Sequence, residues 1–513
     1  MSDFSSLVAI GGDPVLSRTS ACGGIVLWLE LLRRSGAFRN LAVRVAGAQG
    51  WSDGQMMLTV LLRNVIGHER VSDVDALEAD RSLCRLVRDY EPELLGMPPA
   101  ALAARFRGGR GRTFPSANAV HDWLRRFHDA AASVTRVKGV AVVPEPAAGL
   151  QLVEEVNRRL AHDLIRRLGL DQLTLDLDAT VLASGKREAQ PTCRGATGEV
   201  PGERGYPPLS VFCPELGMVL ASEFRDGNVP ASVRNLEMLQ RVLSGLPPEV
   251  RRVWLRSDGA ACQNRLLRFC NVPASRPAAL RRFGVVGFVV GAPQAEGLRM
   301  AIGETPASWW EPVRASEPEL GCADLDYVSP WGARQSRGRL LRYVGTRRAL
   351  PGELGVGPDE TAAASGRPAY RHHAYLTNLP YPGRCGEGAG LAMTASEVVR
   401  FAHERCGYGE EVHAVLKQDL AGGMLPSGKF GANAAWWQLA VLSANVNALL
   451  RHGAFGRDWL WTRMKQVRLS WVHLVAKVVR HARGRRLMFQ TAHAQRVRQA
   501  LDRMAVFLAY DTS

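Results

Sequence analysis

One short segment limits the possible folds of this chain more than any other. Residues 173–182 read LTLDLDATVL, in which apolar and polar side chains alternate as on a half-buried β-strand. The alternation places Asp176, Asp178 and Thr180 on one face of that strand. A carboxylate inside an apolar strand costs free energy unless it is paired or bound to a metal ion. The segment therefore predicts a strand whose acids have an ionic partner.

The segments that follow predict an α/β core. They are, in chain order, strands over residues 209–213 and 218–224, a helix over 232–244 and a strand over 253–255. Strand, hairpin, helix and strand in this order indicate a core of the RNase H kind. Asp178 lies in the first strand and Asp258 directly follows the last. Both acids are therefore placed where an apolar strand is not expected to carry an unpaired carboxylate.

The length of 513 residues predicts two to four domains. The predicted secondary structure changes along the chain from helical to strand-rich segments and back to helical ones. Near the N-terminus, a basic helix with Arg125 and Arg126 follows a basic, glycine-rich loop, as in helix-turn-helix DNA readers; a solvated surface helix is the alternative. The expected division is a helical DNA-binding region over 1–135, the first part of the RNase H-like core over 136–291, a mostly β insertion over 292–392, and the rest of the core with a helical tail over 393–513.

Charge and cysteine usage narrow the class of partner. Lysine and arginine number 65 against 49 acidic residues, a net charge of +16 that favours a polyanion such as nucleic acid or an anionic membrane. Nine cysteines without a C-x-x-C pair indicate reduced thiols rather than disulfides or a zinc site. No signal peptide and no apolar run of about 18 residues is present, so we expect a cytoplasmic protein that binds DNA and no membrane.

Separated acids of this kind suit metal-dependent phosphodiester chemistry. Such chemistry uses two metal ions about 3.5–4 Å apart, and Mg²⁺ prefers hard oxygen ligands such as carboxylates. Aspartates are also common at turns and on exposed faces for structural reasons alone. Neither Asp178 nor Asp258 taken singly predicts a metal site, but the pair with a hairpin and a helix between them favours one.

Several blocks of sequence resemble the bacterial insertion-sequence transposases of the DDE class, in particular the piggyBac-related branch, insertion-sequence family thirteen-eighty. The blocks are WSDGQMMLTVLLRNVIG, LDLDATV, GERGYPPLSVF, FRDGN, WLRSDGA and HERCGYGEEVHAVLKQDLAGGMLPSGKFGANAAWW, in this order. The resemblance implies two Mg²⁺ ions, for which Mn²⁺ can substitute, and double-stranded DNA as partner, both the terminal inverted repeats of the element and target DNA. Because two ends must be paired, it also implies a homodimer on DNA.

The resemblance assigns the catalytic and metal-binding acids to Asp178, Asp258 and Glu410. Asp176, which points the same way as Asp178, is the alternative for the first acid. Lys417 lies seven residues after Glu410, a spacing of about two helical turns that places both on one helix face. The lysine is therefore expected to bind phosphate beside the acid.

The register of the third acid is less well defined. Wider relatives carry a tyrosine seven residues and an arginine four residues before the glutamate, where this chain has His403 and Cys406. Glu404 and Glu411 are therefore kept as alternatives to Glu410.

Other polar residues have both a DNA-binding and a structural interpretation. Arg204 precedes the second strand, and Arg225 and Asn228 lie in FRDGN; each is a candidate phosphate contact, although turn and loop chemistry explains them equally well. Trp309 or Trp310 could stack on an unpaired base, although a tryptophan in a β insertion is more often core. The predicted function is a DDE transposase, with a nuclease that lacks strand transfer and a catalytically silent DNA-binding descendant as alternatives.

Overall fold

The computed structural model describes residues 9–11, 19–39, 41, 45–131, 137, 140–185, 193–194, 204–333, 341–349, 370–382, 392–481 and 484–509. Within these ranges, residues 9–11, 193–194, 333, 406–410, 480–481 and 484–485 are described by their backbone alone. No helix in the described ranges has both the length and the apolar composition needed to cross a bilayer.

The described elements alternate between helical and strand-rich parts of the chain. The strands are β1 (Ala9–Gly11), β2 (Thr19–Ser20), β3 (Gln172–Ala179), β4 (Leu182–Ala183), β5 (Cys193–Arg194), β6 (Arg204–Tyr206), β7 (Leu209–Cys213), β8 (Met218–Glu223), β9 (Arg252–Ser257), β10 (Gly287–Gly291), β11 (Glu311–Pro312), β12 (Leu320–Leu325), β13 (Arg342–Ala349), β14 (Tyr370–Thr377), β15 (Ala476–His481) and β16 (Gly484–Phe489). The helices are α1 (Val26–Ser35), α2 (Asp53–Ile66), α3 (Val74–Ala79), α4 (Arg81–Leu95), α5 (Pro99–Ala104), α6 (Ala117–Arg125), α7 (Ala148–Leu168), α8 (Asn235–Gly245), α9 (Asn264–Asn271), α10 (Glu296–Glu304), α11 (Pro330–Ala333), α12 (Ala395–Ala414), α13 (Phe430–Leu450), α14 (Met464–Val467) and α15 (Thr491–Ala509).

Five strands of the central sheet have the order and directions of an RNase H-like core. In the order β10-β9-β3-β7-β8, β9 and β10 run parallel to β3, whereas β7 is antiparallel to β3 and β8 is antiparallel to β7. Helix α8 connects β8 to β9, and α9 connects β9 to β10. The α/β fold class predicted from the sequence is confirmed.

Four further strands extend the same sheet beyond β10. Strand β14 is antiparallel to β10, and β13, β12 and β11 follow in turn, which gives nine strands within the described part of the chain. All four lie between residues 292 and 392, where a mostly β insertion is predicted. The described strands of this segment thus continue the core sheet, while the division of the chain into four domains stays a prediction.

The apolar helix α13 joins the N-terminal helices to the core. Nearly every residue of α13 is buried, as expected for a helix that is apolar all round. It packs against β8 and α7 of the core and against α2 and α6 of the N-terminal region. Side chains bridge the two regions: Trp28 Nε1 donates to Asn447 Oδ1 at 2.6 Å, and Asn64 Nδ2 donates to Ser443 Oγ at 3.0 Å. The N-terminal helices therefore share a core with the C-terminal part of the chain.

Candidate active site

Asp178 and Asp258 lie at the carboxyl ends of two adjacent parallel strands. Strands β3 and β9 pair in register from Gln172 opposite Arg252 to Leu177 opposite Ser257, and the two aspartates are the next residue on each strand. Residues at matched positions of neighbouring strands point to the same face, and the strands are about 4.8 Å apart. The structure therefore brings these two predicted acids side by side.

The two carboxyl groups differ in their surroundings. Asp178 is half-buried, and burial raises the pKa of its carboxyl to about 6. The negative charge of Asp258 adds to this rise in the pKa of Asp178, and the guanidinium of Arg405 opposes it. Asp258 is exposed, and its Oδ1 accepts a hydrogen bond of 3.0 Å from the backbone N–H of Ala260. The pair thus concentrates negative charge at a place where a cation would relieve it.

Asp176, the alternative to Asp178, is fully engaged with an arginine. Arg256 lies directly opposite Asp176 on β9, and its guanidinium donates to both carboxylate oxygens, Nε to Oδ1 at 2.6 Å and Nη2 to Oδ2 at 2.9 Å. Both side chains are 2% exposed. Because both oxygens of Asp176 accept from one buried guanidinium, this geometry favours Asp178 over Asp176 as the acid that binds a metal ion.

Arg256 also fastens helix α12 to the sheet. Its Nη1 donates to the backbone carbonyl of Phe401 at 2.9 Å and to Oε2 of Glu404 at 3.0 Å, and its guanidinium lies 4.8 Å from the centre of the Phe401 ring. Glu404 is thereby paired with a structural cation. Arg256 was not among the residues predicted from the sequence, although a signal existed. Arg256 stands two residues before Asp258, as Asp176 stands two before Asp178, so the strand period places all four on one face.

Helix α12 supplies a cation to Asp178. Arg405 Nη1 lies 3.1 Å from Asp178 Oδ2, and His413 Nδ1 lies 3.8 Å from the same oxygen. Burial lowers the pKa of His413 to about 4, and the nearby charges of Lys417 and Arg405 lower it further. The imidazole is therefore neutral at neutral pH, which leaves Arg405 as the charged partner of Asp178.

The side chain of Glu410 lies outside the described residues. Its backbone belongs to α12, three residues before His413, so it is about one helical turn from a residue that contacts Asp178. The alternative Glu411 is half-buried and lines a crevice together with Val412 and Arg451. Among the side chains that the structure describes, no three acids, histidines or cysteines form a metal-binding group. Among the described side chains, Asp178 and Asp258 offer here the hard oxygen donors that Mg²⁺ and Mn²⁺ prefer.

The cations predicted to contact DNA lie in separate parts of the fold. Arg125 and Arg126 are exposed at the end of α6, where Arg125 pairs with Asp122 at 2.8 Å. Arg204 begins β6, and Lys417 lies in a π-helical turn, Val415–Asp419, that continues α12. The charge of Lys417 acts on the imidazole of His413, which lies 3.8 Å from Oδ2 of Asp178.

The loop after β8 places its two candidate DNA contacts differently. Arg225 is fully buried, and its guanidinium donates to Oε1 of Glu223 at 2.9 Å and to the backbone carbonyl of Val233 at 2.6 Å. It therefore supports the loop from inside and offers no cation at the surface. Asn228, in the same loop, is half-buried.

The two tryptophans of the predicted insertion also differ in exposure. Trp309 is 53% exposed. The ring of Trp310 is half-buried and lies under the guanidinium of Arg347, with 4.6 Å between the guanidinium carbon and the ring centre. Stacking of either ring on an unpaired base stays a prediction.

The chain is similar to known transposases in sequence and in structure. The family model described as "Transposase DDE domain group 1" matches residues 17–332, which is more than half of the chain. No curated protein matches the sequence. Among solved structures, the chain is similar to a piggyBac transposase in a synaptic complex with hairpin DNA, at 10% sequence identity and a TM-score of 0.41, over 90% of this chain and 82% of that one.

Proposed function

This chain belongs to the family of transposases with a group 1 DDE domain, and from that membership we propose that it binds the terminal inverted repeats of an insertion sequence and catalyses cleavage and strand transfer of its ends. The proposal is supported above all by Asp178 and Asp258 at the ends of adjacent parallel strands. Hydrolysis breaks a phosphodiester at an element end and leaves a 3′-hydroxyl. That hydroxyl then attacks a phosphodiester of target DNA: a new P–O bond joins the element to the target, and the bond from phosphorus to the target's own 3′-oxygen breaks, so that this oxygen leaves as a 3′-hydroxyl.

The proposed metal ligands are Asp178, Asp258 and Glu410, with two Mg²⁺ ions bound, or Mn²⁺ in their place. When bound, such ions supply the positive charge that activates the attacking oxygen and stabilises the leaving oxygen of a phosphodiester. The protein's own contribution is positional. The β3–β9 register places the two aspartates side by side, and Arg256 engages both carboxylate oxygens of Asp176 while fastening α12 to the sheet.

The proposed partner is double-stranded DNA. The net charge of +16 attracts a polyanion, and we assign phosphate contacts to Lys417, Arg204, Arg125 and Arg126. Contacts of this kind fix the position of DNA without reading its sequence. Because transposition pairs two element ends, the proposed active form is a homodimer on DNA, acting in the cytoplasm.

The function is tested with the purified full-length chain, Mg²⁺ and duplex DNA that carries the repeats flanking its coding region. We expect cleavage at the element end and a product in which the new 3′ end is joined to a target strand. Chelation of the metal with EDTA should abolish both reactions, and added Mn²⁺ should restore them. Denaturing gels resolve the cleaved and joined strands.

Two results would replace this proposal with another. Metal-dependent cleavage without any joined product would indicate a nuclease of the same fold. Specific binding to the repeats without cleavage in either metal would indicate a catalytically silent DNA-binding protein. A duplex of scrambled end sequence is the matched control for specific recognition.

The raised pKa of Asp178 predicts the pH dependence of metal binding. Its carboxyl, with a pKa of about 6, holds a proton below that pH, and the proton must leave before a metal ion binds. Affinity for Mn²⁺ in the absence of DNA should therefore fall about tenfold between pH 7 and pH 5, because one bound proton competes with the ion. Isothermal titration calorimetry measures this affinity. An affinity that stays constant down to pH 5 would contradict the assignment, since an aspartate of ordinary pKa near 3.9 is already ionised there.

A further inference from the structure

The contact between Arg405 and Asp178 has a consequence for metal binding. The guanidinium lies 3.1 Å from Oδ2 of Asp178, and the two side chains are only 17% and 26% exposed. Within the part of the chain that the structure describes, Asp178 is the one carboxylate within ion-pairing distance of Arg405. An ion pair shielded in this way is screened less by salt than a surface pair, so it persists at physiological ionic strength.

The surroundings leave Arg405 as the cation that balances Asp178. Arg256 is committed to Asp176 and Glu404, and His413 Nδ1 lies 3.8 Å from Asp178 Oδ2, farther than Arg405 Nη1 at 3.1 Å. Arg405, His413 and Asp178 line the same small crevice, together with the apolar side chains of Phe212 and Leu416. In such apolar surroundings the attraction between the guanidinium of Arg405 and the carboxylate of Asp178 is stronger than it would be in water.

The guanidinium and a divalent ion cannot both be close to the same oxygen, because the two positive charges repel each other. A metal ion that binds Oδ2 of Asp178 therefore competes with Arg405 for that oxygen, while Oδ1 accepts a hydrogen bond of 3.0 Å from the backbone N–H of Ala179. A displaced guanidinium needs another anion, and the anion of the proposed substrate is phosphate, which guanidinium groups bind strongly and with two parallel hydrogen bonds. Because Arg405 contacts Asp178, a phosphate that approaches Asp178 also approaches the guanidinium.

Resting on the proposed function, we propose that Arg405 is an internal counter-ion that closes the metal site in the free protein and opens it when a DNA phosphate draws the guanidinium away from Asp178. Metal binding and DNA binding then favour each other. By linkage, the factor by which DNA raises the affinity for metal equals the factor by which metal raises the affinity for DNA. The free protein would thus hold few metal ions until DNA arrives.

The first test measures Mn²⁺ binding to the full-length, metal-free protein. Electron paramagnetic resonance of the free ion gives the concentration of unbound Mn²⁺. Arg405→Gln should bind Mn²⁺ about tenfold more tightly than wild type, within the usual range of such couplings, because the competing cation is gone. Arg405→Lys keeps a cation and should bind near the wild-type level. Arg400→Gln is the matched control. Arg400 is exposed on the same helix, and among the described residues it donates to the backbone carbonyl of Ser396 at 3.4 Å. The Mn²⁺ affinity of this variant should therefore equal that of wild type.

The second test adds a pre-cut duplex that ends at the element terminus, with Mn²⁺ binding to DNA alone subtracted. The duplex should raise the Mn²⁺ affinity of wild type and Arg400→Gln about tenfold. Most of this increase should be lost in Arg405→Gln, which already binds Mn²⁺ tightly. Thermal unfolding of each variant confirms that it is folded.

Two outcomes separate failure of this inference from failure of the proposed function. If Arg405→Gln binds Mn²⁺ like wild type and keeps the full effect of DNA, the counter-ion role is wrong while the metal site stands. If Asp178→Asn binds Mn²⁺ as well as wild type, the metal site itself is wrong and the counter-ion role falls with it.

Discussion

Replacing Asp258 by asparagine should lower the rate of DNA cleavage about a thousandfold without unfolding the protein. Metal ions contribute several kcal/mol of charge stabilisation to phosphoryl transfer, and each 1.36 kcal/mol corresponds to about a factor of ten in rate. The asparagine side chain keeps an oxygen that can accept from the backbone N–H of Ala260, as Asp258 does at 3.0 Å. Because Asp258 is exposed, the change in unfolding free energy should stay within about 0.5 kcal/mol.

Asp171→Asn is the matched control for this prediction. Asp171 lies just before β3, at the opposite end of the same strand pair, and forms an exposed ion pair with Arg252 at 3.0 Å. It loses the same charge from the same sheet but should leave the cleavage rate unchanged. Single-turnover cleavage of an end-bearing duplex in Mg²⁺ measures both variants. Equal rates for Asp258→Asn and Asp171→Asn would remove Asp258 from the proposed catalytic site.

Arg256→Met should cost about 3–5 kcal/mol of unfolding free energy, because it leaves Asp176 buried without its cation. Asp176 and Arg256 are both 2% exposed, so solvent has little access to replace the two hydrogen bonds from the guanidinium. Equilibrium unfolding in urea measures this loss of unfolding free energy. It should also loosen α12, because the contact of Arg256 with the carbonyl of Phe401 disappears.

A double replacement separates the charge from the packing. Asp176→Leu combined with Arg256→Met removes both partners of the pair, and a buried pair replaced by apolar side chains is often neutral or stabilising. The double variant should therefore regain most of the lost stability. Arg252→Met, on the same strand but in an exposed ion pair, should cost about 0–1 kcal/mol. A double variant as unstable as Arg256→Met would show that packing, and not charge, dominates.

The sequence predicted the local elements of the core well, because each is encoded by nearby residues. The alternating segment around Asp176 and Asp178 gave the first strand, and the second strand was predicted with the same bounds that it has in the structure, Leu209–Cys213. The pair Asp178 and Asp258, with a hairpin and a helix between them, also favoured a shared metal site, and the structure places the two acids on adjacent strands.

Contacts between distant segments could not be predicted in the same way. Nothing local to β14 indicates that it pairs with β10, and nothing in α12 indicates that Arg405 would face Asp178, 227 positions earlier in the chain. The burial of Arg225 has the same origin, because its partners Glu223 and Val233 enclose it only in the folded loop. Pairing, packing and burial of charge depend on the whole fold, whereas periodicity reports only which face a residue occupies.

The burial of α13 between the N-terminal helices and the core has a consequence for synthesis on the ribosome. Trp28 donates a hydrogen bond to Asn447, which is 419 positions later in the chain, and Asn64 donates to Ser443, which is 379 positions later. Until that part of the chain emerges, the apolar faces of α1 and α2 lack the surface that covers them, a situation that slows folding and exposes the nascent chain to aggregation. A product cut short before α13 would therefore lack the helix that closes this core.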